Sequence, residues 1–317
     1  MNIHVIFTGG TISGVIEDGR ISPGGDLQGR LGLQGQGGPR LTFEEPFRIL
    51  SEDLDADHVL KLRDCVAGAV ENCDGIIITH GTDTLHYTAA LLQYIFCEIK
   101  IPVILVSSAY VLSDPRSNGK ENLDAAIEYI LEGGEAGVFV SYRNPSSSAP
   151  ARIIPADRLL SSMTGSSDFY AYEGGSGPGP DIEPGGTFIE KLIYDSHGLG
   201  GFSVKDINLT SKSDMILRLA AYPGMCFNKE SVTDRIRVVM IEGYHSGTLG
   251  VTDELKSFAA FCKQRQIPVL LSFVNSGELE YETVDGYRRA GIIPVYDIVP
   301  IVLYCRLWLI FSNFTEI

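Results

Sequence analysis

Two short stretches carry residue types able to do covalent chemistry. Thr8-Gly9-Gly10-Thr11 follows the apolar run Ile3–Phe7, and His80-Gly81-Thr82-Asp83-Thr84 follows Gly75–Ile78. In the first, the glycines let backbone approach a ligand closely, and Thr11 offers a hydroxyl beside free N–H groups. In the second, a carboxylate stands between two threonine hydroxyls just after a buried strand. Each stretch also has a plainer reading. The first can be a strand-to-loop turn. In the second, Thr82 or Asp83 can cap the helix that follows, as Ser, Thr and Asp commonly do. A hydroxyl is a weak nucleophile near neutral pH, so catalysis by such groups needs activation and an oxyanion site.

The elements around these stretches form a rhythm. Ile3–Phe7, Gly75–Ile78, Pro102–Val106 and Val138–Val140 are unalternating apolar runs that end in small or polar residues, as strands covered on both faces do. Helical patterns separate them: Ala56–Asn72, Leu85–Cys97 and Asn122–Leu131. This alternation predicts an α/β fold with a larger N-terminal doubly wound sheet domain. In such sheets ligands bind at the carboxyl ends of the strands, which is where both stretches fall. The rhythm resumes near Lys212, with strands at Met215–Ala221, Val238–Glu242, Val269–Phe273 and Ile293–Val295 and helices at Glu254–Arg265 and Pro300–Phe311. The expected organisation is an N-terminal domain over 1–190, a linker over 191–211 and a smaller C-terminal α/β domain over 212–317. Gly174–Gly186 reads as a loop, and Gly24–Gly38 as a mobile loop after the first strand.

Composition limits the function. Of 317 residues, 25 are Lys or Arg and 40 are Asp or Glu, a formal net charge of −15. So acidic a chain repels phosphate backbones and anionic lipid, so neither a nucleic acid nor a membrane is an expected partner. The apolar segment from Ile298 to Phe311 is shorter than the roughly 20 residues that a spanning helix needs. Met1–Phe7 has no basic leader pattern, and the six cysteines form no C-x-x-C, which fits a reducing cytoplasm. No metal site and no cofactor are implied. Ser117-Asn118-Gly119-Lys120 lacks the earlier glycine of a phosphate loop.

Together the two stretches resemble the signatures of the bacterial-type L-asparaginases, a group that includes asparaginases, glutaminase-asparaginases and the asparaginase-like subunit of the archaeal glutamyl-tRNA amidotransferase. Thr8–Ile12 is similar to the first signature and His80–Thr84, after Ile76-Ile77-Ile78-Thr79, to the second. Weaker similarities lie at Ser51–Leu54, at Asn118-Gly119 with Asn122-Leu123, at Glu242–Thr248 and at Asp297. The resemblance implies a cofactor-free amidohydrolase that releases ammonia from the side-chain amide of L-asparagine, or of glutamine. Thr11 would be the nucleophile that forms an acyl-enzyme. Thr82 and Asp83 would form the second catalytic cluster. Asp83, helped by Glu52, would hold the substrate ammonium. Ser51 with the Gly81 and Thr82 backbone would hold the α-carboxylate. A cytoplasmic homodimer or homotetramer acting on a small amino-acid amide is the expected context.

The sequence also departs from the family pattern. Arg20 stands where many members carry a flap tyrosine, Ile153 falls at the expected lysine, and Arg152 beside it stays protonated and cannot serve as a base. Lys120, expected in the neighbouring loop, is a cation that could substitute for that lysine spatially. Val299, Ile301 and Ser246 replace polar residues of the second domain. Two readings therefore stay open: an amidohydrolase with another proton acceptor, and a catalytically impaired relative that binds an amino acid as a sensor or partner subunit.

Overall fold

The computed structural model describes residues 1–32, 38–174, 188–194, 199, 202–276 and 281–314. Contacts divide the chain into two compact units, one of Met1–Tyr172 with Ser196–Ile207 and one of Glu173–Asp195 with Asn208–Ile317. Most of Gly174–Gly186, part of Gly24–Gly38 and part of the expected linker lie outside the described residues.

In chain order the first unit contains β1 (Asn2–Phe7), the hairpin β2 (Gly14–Glu17) and β3 (Arg20–Pro23), α1 (Leu27–Arg30), β4 (Arg40–Glu44), α2 (Ala56–Ala69), β5 (Gly75–Thr79), α3 (Leu85–Ile95), β6 (Pro102–Val106), α4 (Gly119–Leu131), β7 (Gly137–Tyr142) and β8 (Arg152–Pro155). Six strands form one sheet in the order β4-β1-β5-β6-β7-β8. All neighbours are parallel except β7 and β8. Ile76, Ile77 and Ile78 on β5 are each 0% exposed, so both faces are covered, as the unalternating sequence requires.

The strand order has one consequence for the site. From β1 the chain leaves to β4 on one side, and from β5 it leaves to β6 on the other. The adjacent carboxyl ends of β1 and β5 therefore form the topological switch point, where the two outgoing connections diverge and leave a crevice.

The second unit contains α5 (Phe188–Tyr194), β9 (Ile216–Ala220), β10 (Val238–Glu242), α6 (Asp253–Gln264), β11 (Val269–Val274), α7 (Thr283–Ala290), β12 (Ile292–Tyr296) and α8 (Pro300–Asn313). Its sheet runs β12-β11-β10-β9, entirely parallel. The strands advance in one direction, so this sheet has no switch point. Each unit has its own core. Val5, Ile77, Ile104 and Leu123 lie in the first, and Val239, Leu255, Phe258 and Tyr287 in the second.

The helices expected from sequence form with shifts of a few residues at their ends, and α4 begins earlier than expected, at Gly119. The hairpin was not anticipated. Its signal is Asp18-Gly19, whose φ angles of 51° and 74° give the two left-handed residues that a tight hairpin turn needs. Neither Thr82 nor Asp83 caps α3. The cap position belongs to Thr84, whose side chain makes no capping bond, because its hydroxyl is used elsewhere.

Candidate active site

Thr11 opens a single 3-10 turn, Thr11–Ser13, directly after β1. Gly9 and Gly10 before it adopt φ of 106° and 75°, a region that side chains rarely enter. The turn is pinned from the neighbouring chain segment: Gly10 N–H donates to the Ile49 carbonyl at 2.8 Å, and Ile49 N–H donates to Thr8 O at 3.1 Å. Beneath it the buried Thr8 hydroxyl donates to the Thr79 carbonyl at 2.6 Å and ties the ends of β1 and β5 together.

Gly10 and Gly81 meet backbone to backbone. A Cβ on Gly10 would overlap the Gly81 N and Cα atoms and stand 2.8 Å from the His80 carbonyl carbon. Only glycine permits this approach. It sets the next residue of each loop, Thr11 and Thr82, on neighbouring strand ends at the switch point. Both are half-buried. Among the described residues, neither hydroxyl takes part in a hydrogen bond, and the N–H groups of Thr11, Gly81 and Thr82 have no acceptor. Unspent donors at a crevice suit an anionic or developing negative oxygen.

Ser51 completes this group. It begins a second 3-10 turn, Ser51–Asp53, and is buried. Its side chain fills the space that a Cβ on Gly81 would need, with Ser51 Cβ only 2.6 Å from that point. Asp83 N–H donates to Ser51 Oγ at 3.2 Å, and the Thr84 hydroxyl donates to the Ser51 carbonyl at 2.8 Å. Ser51 Oγ accepts in the first of these bonds, so its own proton is available to a ligand. Asp83 and Glu52 are exposed carboxylates on the two turns that Ser51 joins.

The structure thus brings Thr11, Ser51, Gly81, Thr82 and Asp83 to one strand-end cluster and places Glu52 beside Ser51. Lys120 is exposed on α4, and its ammonium lies 3.0 Å from both oxygens of Asp124. Ile153 lies on β8 opposite Ser141, and Arg20 is exposed on β3. In the second unit, Ser276 donates through its N–H and hydroxyl to the Asp297 carboxylate. The turn at Glu242–Thr248 is closed by Tyr244 N–H to Thr248 O and Gly247 N–H to Tyr244 O, each 2.8 Å.

Sequence reasoning missed the scaffold behind these loops. Asn122, fully buried on α4, donates to the Ser107 carbonyl at 2.9 Å and accepts from Arg143 N–H at 2.7 Å. Asn118 accepts from Ala109 N–H at 2.9 Å and donates to the Arg143 carbonyl at 2.6 Å. The two asparagines staple the ends of β6 and β7. Their sequence signal was only a weak motif similarity. The contacts of His80 with Gly81 and of Thr88 with His80 had no signal beyond a threonine in an apolar helix.

A glutamyl-tRNA(Gln) amidotransferase subunit from Thermoplasma acidophilum is 31% identical over 144 residues, covering 43% of this chain and 34% of that protein. An L-asparaginase of Thermococcus kodakarensis is 30% identical over 145 residues, covering 45% and 44%. In both, the match spans less than half of the relative's own length. The crystal structure of L-asparaginase I from Vibrio cholerae has the same fold, with a TM-score of 0.75 at 23% identity over 99% of this chain and 94% of that one. The family described as "Asparaginase, N-terminal" matches residues 2–164, just over half of the chain and the part that holds Thr11, Ser51 and Thr82. The chain therefore belongs to the asparaginase family.

Proposed function

We propose that this protein is an amidohydrolase that releases ammonia from the side-chain amide of L-asparagine or glutamine, with Thr11 as nucleophile. The observation that carries the reading is the contact of Gly10 with Gly81, which sets two unspent threonine hydroxyls and three unspent N–H groups at the switch point. The Thr11 oxygen attacks the amide carbon, and the Thr11 N–H donates to the oxyanion that forms. The hydroxyl proton passes to the leaving nitrogen, which departs as ammonia and leaves an ester on Thr11. Water then cleaves the ester, giving the free carboxylate and restoring the hydroxyl. Thr82 stands where it can relay the proton or meet the water. Asp83 and Glu52 supply negative charge for the α-ammonium, and Ser51 with the Gly81 and Thr82 N–H groups supplies donors for the α-carboxylate. No step needs a metal or organic cofactor. Assembly of like subunits in the cytoplasm belongs to the same proposal.

A second reading is supported by the Thermoplasma acidophilum relative, whose name marks it as one subunit of an amidotransferase. Here the chain would work with another, unlike subunit, and its isolated turnover would be slow.

Ammonia release from L-Asn, L-Gln and their D-isomers by the purified chain tests the first reading. It predicts turnover with at least one L-amide. Absence of turnover with all four, with L-aspartate still raising Tm, supports the second reading against the first.

A further inference from the structure

His80 is 2% exposed and lies beneath the strand-end loop. Its backbone N–H donates to Val106 O at 2.8 Å, which extends the β5–β6 pairing by one residue. Its ring turns back on its own loop. Nδ1 lies 2.8 Å from the Gly81 carbonyl oxygen, and Nε2 lies 2.9 Å from Thr88 Oγ1 on α3. A carbonyl oxygen only accepts, so Nδ1 carries the proton and donates it. Nε2 is then the lone-pair nitrogen, and the Thr88 hydroxyl donates to it. Burial holds the ring neutral, with its pKa pushed down to about 4, so this arrangement persists through the neutral range.

The bond acts on a peptide that needs an external lock. Residue 81 must be glycine because the Ser51 side chain occupies the place of a Cβ, and glycine leaves its flanking peptides free to rotate. The Gly81–Thr82 peptide is trans, so its C=O and N–H point in opposite directions. Holding the carbonyl against the buried ring turns the Thr82 N–H away from the core, toward the half-exposed surface of Thr82. That N–H has no acceptor among the described residues.

We propose that His80 is a positioning residue. Through Nδ1 it holds the Gly81 carbonyl and so aims the Thr82 N–H at the carboxylate of the bound amino acid, while Thr88 fixes the ring. The inference rests on the amidohydrolase reading and adds the group that orients one of its donors.

Two substitutions separate this role from simple packing. In His80→Asn the side-chain amide nitrogen can take the place of Nδ1 and keep the bond to Gly81. In His80→Gln the amide reaches the place of Nε2 and Thr88 and leaves the Gly81 carbonyl unheld. Both remove the ring, so both should lower Tm. The proposal expects His80→Asn to keep KM for the amide substrate and Kd for L-aspartate within about threefold, and His80→Gln to raise both by about tenfold or more with a smaller change in kcat. Equal KM and Kd in two folded variants overturns the positioning role while leaving the amidohydrolase intact. No ammonia from any amide, and no Tm shift with L-aspartate, in the unmodified protein removes the amidohydrolase reading and the proposal with it. Nitrogen-15 NMR of the His80 ring in the unmodified protein needs no variant. The proton must be found on Nδ1, and a proton on Nε2 overturns the proposal.

Discussion

The chemistry proposed for the site depends on small groups that are unspent among the described residues: two threonine hydroxyls, a serine proton and three backbone N–H groups. A lone threonine hydroxyl has little nucleophilicity, so the surrounding donors and the route of its proton decide the rate. Beneath them the His80 imidazole must stay neutral, which links the site to pH. Its pKa falls from 6.5 to about 4 on folding because of burial, partly offset by the Gly81 carbonyl. Between those values the unfolded chain binds a proton that the folded chain does not. Stability is therefore lost as pH falls from 6.5 to 4, by about 3 kcal/mol from this group, and the loss stops below 4. Urea unfolding at pH 7 and pH 4 should show the natural protein losing about that much more than His80→Asn. Equal losses would contradict the assigned state. At this scale much was legible. Thr11, Thr82 and Asp83 stand out by residue type and position after buried strands, Ser51 only through the family resemblance, and the structure gathers them. His80's partner was not legible, because Thr88 is eight positions on and looks like any polar residue on a helix.

At the scale of elements, the carboxyl ends of the strands are held by side chains rather than by longer strands. Asn122 is the clearest case, because it satisfies a carbonyl after β6 and an N–H after β7 that have no other partner among the described residues. Asn122→Ala leaves the buried Ser107 carbonyl and the part-buried Arg143 N–H unpaired, a cost of about 2–4 kcal/mol. Urea unfolding at pH 7 checks this, and a loss below about 0.5 kcal/mol would mean that water reaches the gap. The strands buried on both faces and the long helices were readable from apolar runs and periodicity. β4, β8 and α7 were not. Arg40–Glu44 and Arg152–Pro155 are short edge strands, and Thr283–Ala290 is a short helix with an internal glycine and few apolar residues. Their formation depends on neighbours that local sequence does not reveal.

At the scale of the whole molecule, a core described in each unit and a formal net charge of −15 set the behaviour. The strand order places the only described switch point in the first unit, so the second sheet, which advances in one direction, offers no equivalent crevice. Among the described residues no helix is long and apolar enough to cross a membrane. A core in each unit predicts two transitions in scanning calorimetry. Tyr287 identifies one of them. Its buried hydroxyl donates to Leu249 O at 2.6 Å and accepts from Leu249 N–H at 2.7 Å. Tyr287→Phe should destabilise the second unit by about 1–3 kcal/mol and leave the other transition in place. A single transition that moves as a whole would contradict the division.

The measurement that tests the central claim most directly is ammonia release from L-Asn and L-Gln by the natural protein, Thr11→Ala and Thr82→Ala at equal concentration, each checked for folding. The account predicts turnover of an L-amide by the natural protein. It predicts a loss of at least about 10³-fold in Thr11→Ala and of about 10²–10⁴-fold in Thr82→Ala. Turnover that survives in Thr11→Ala would show that the nucleophile lies elsewhere and would contradict the account.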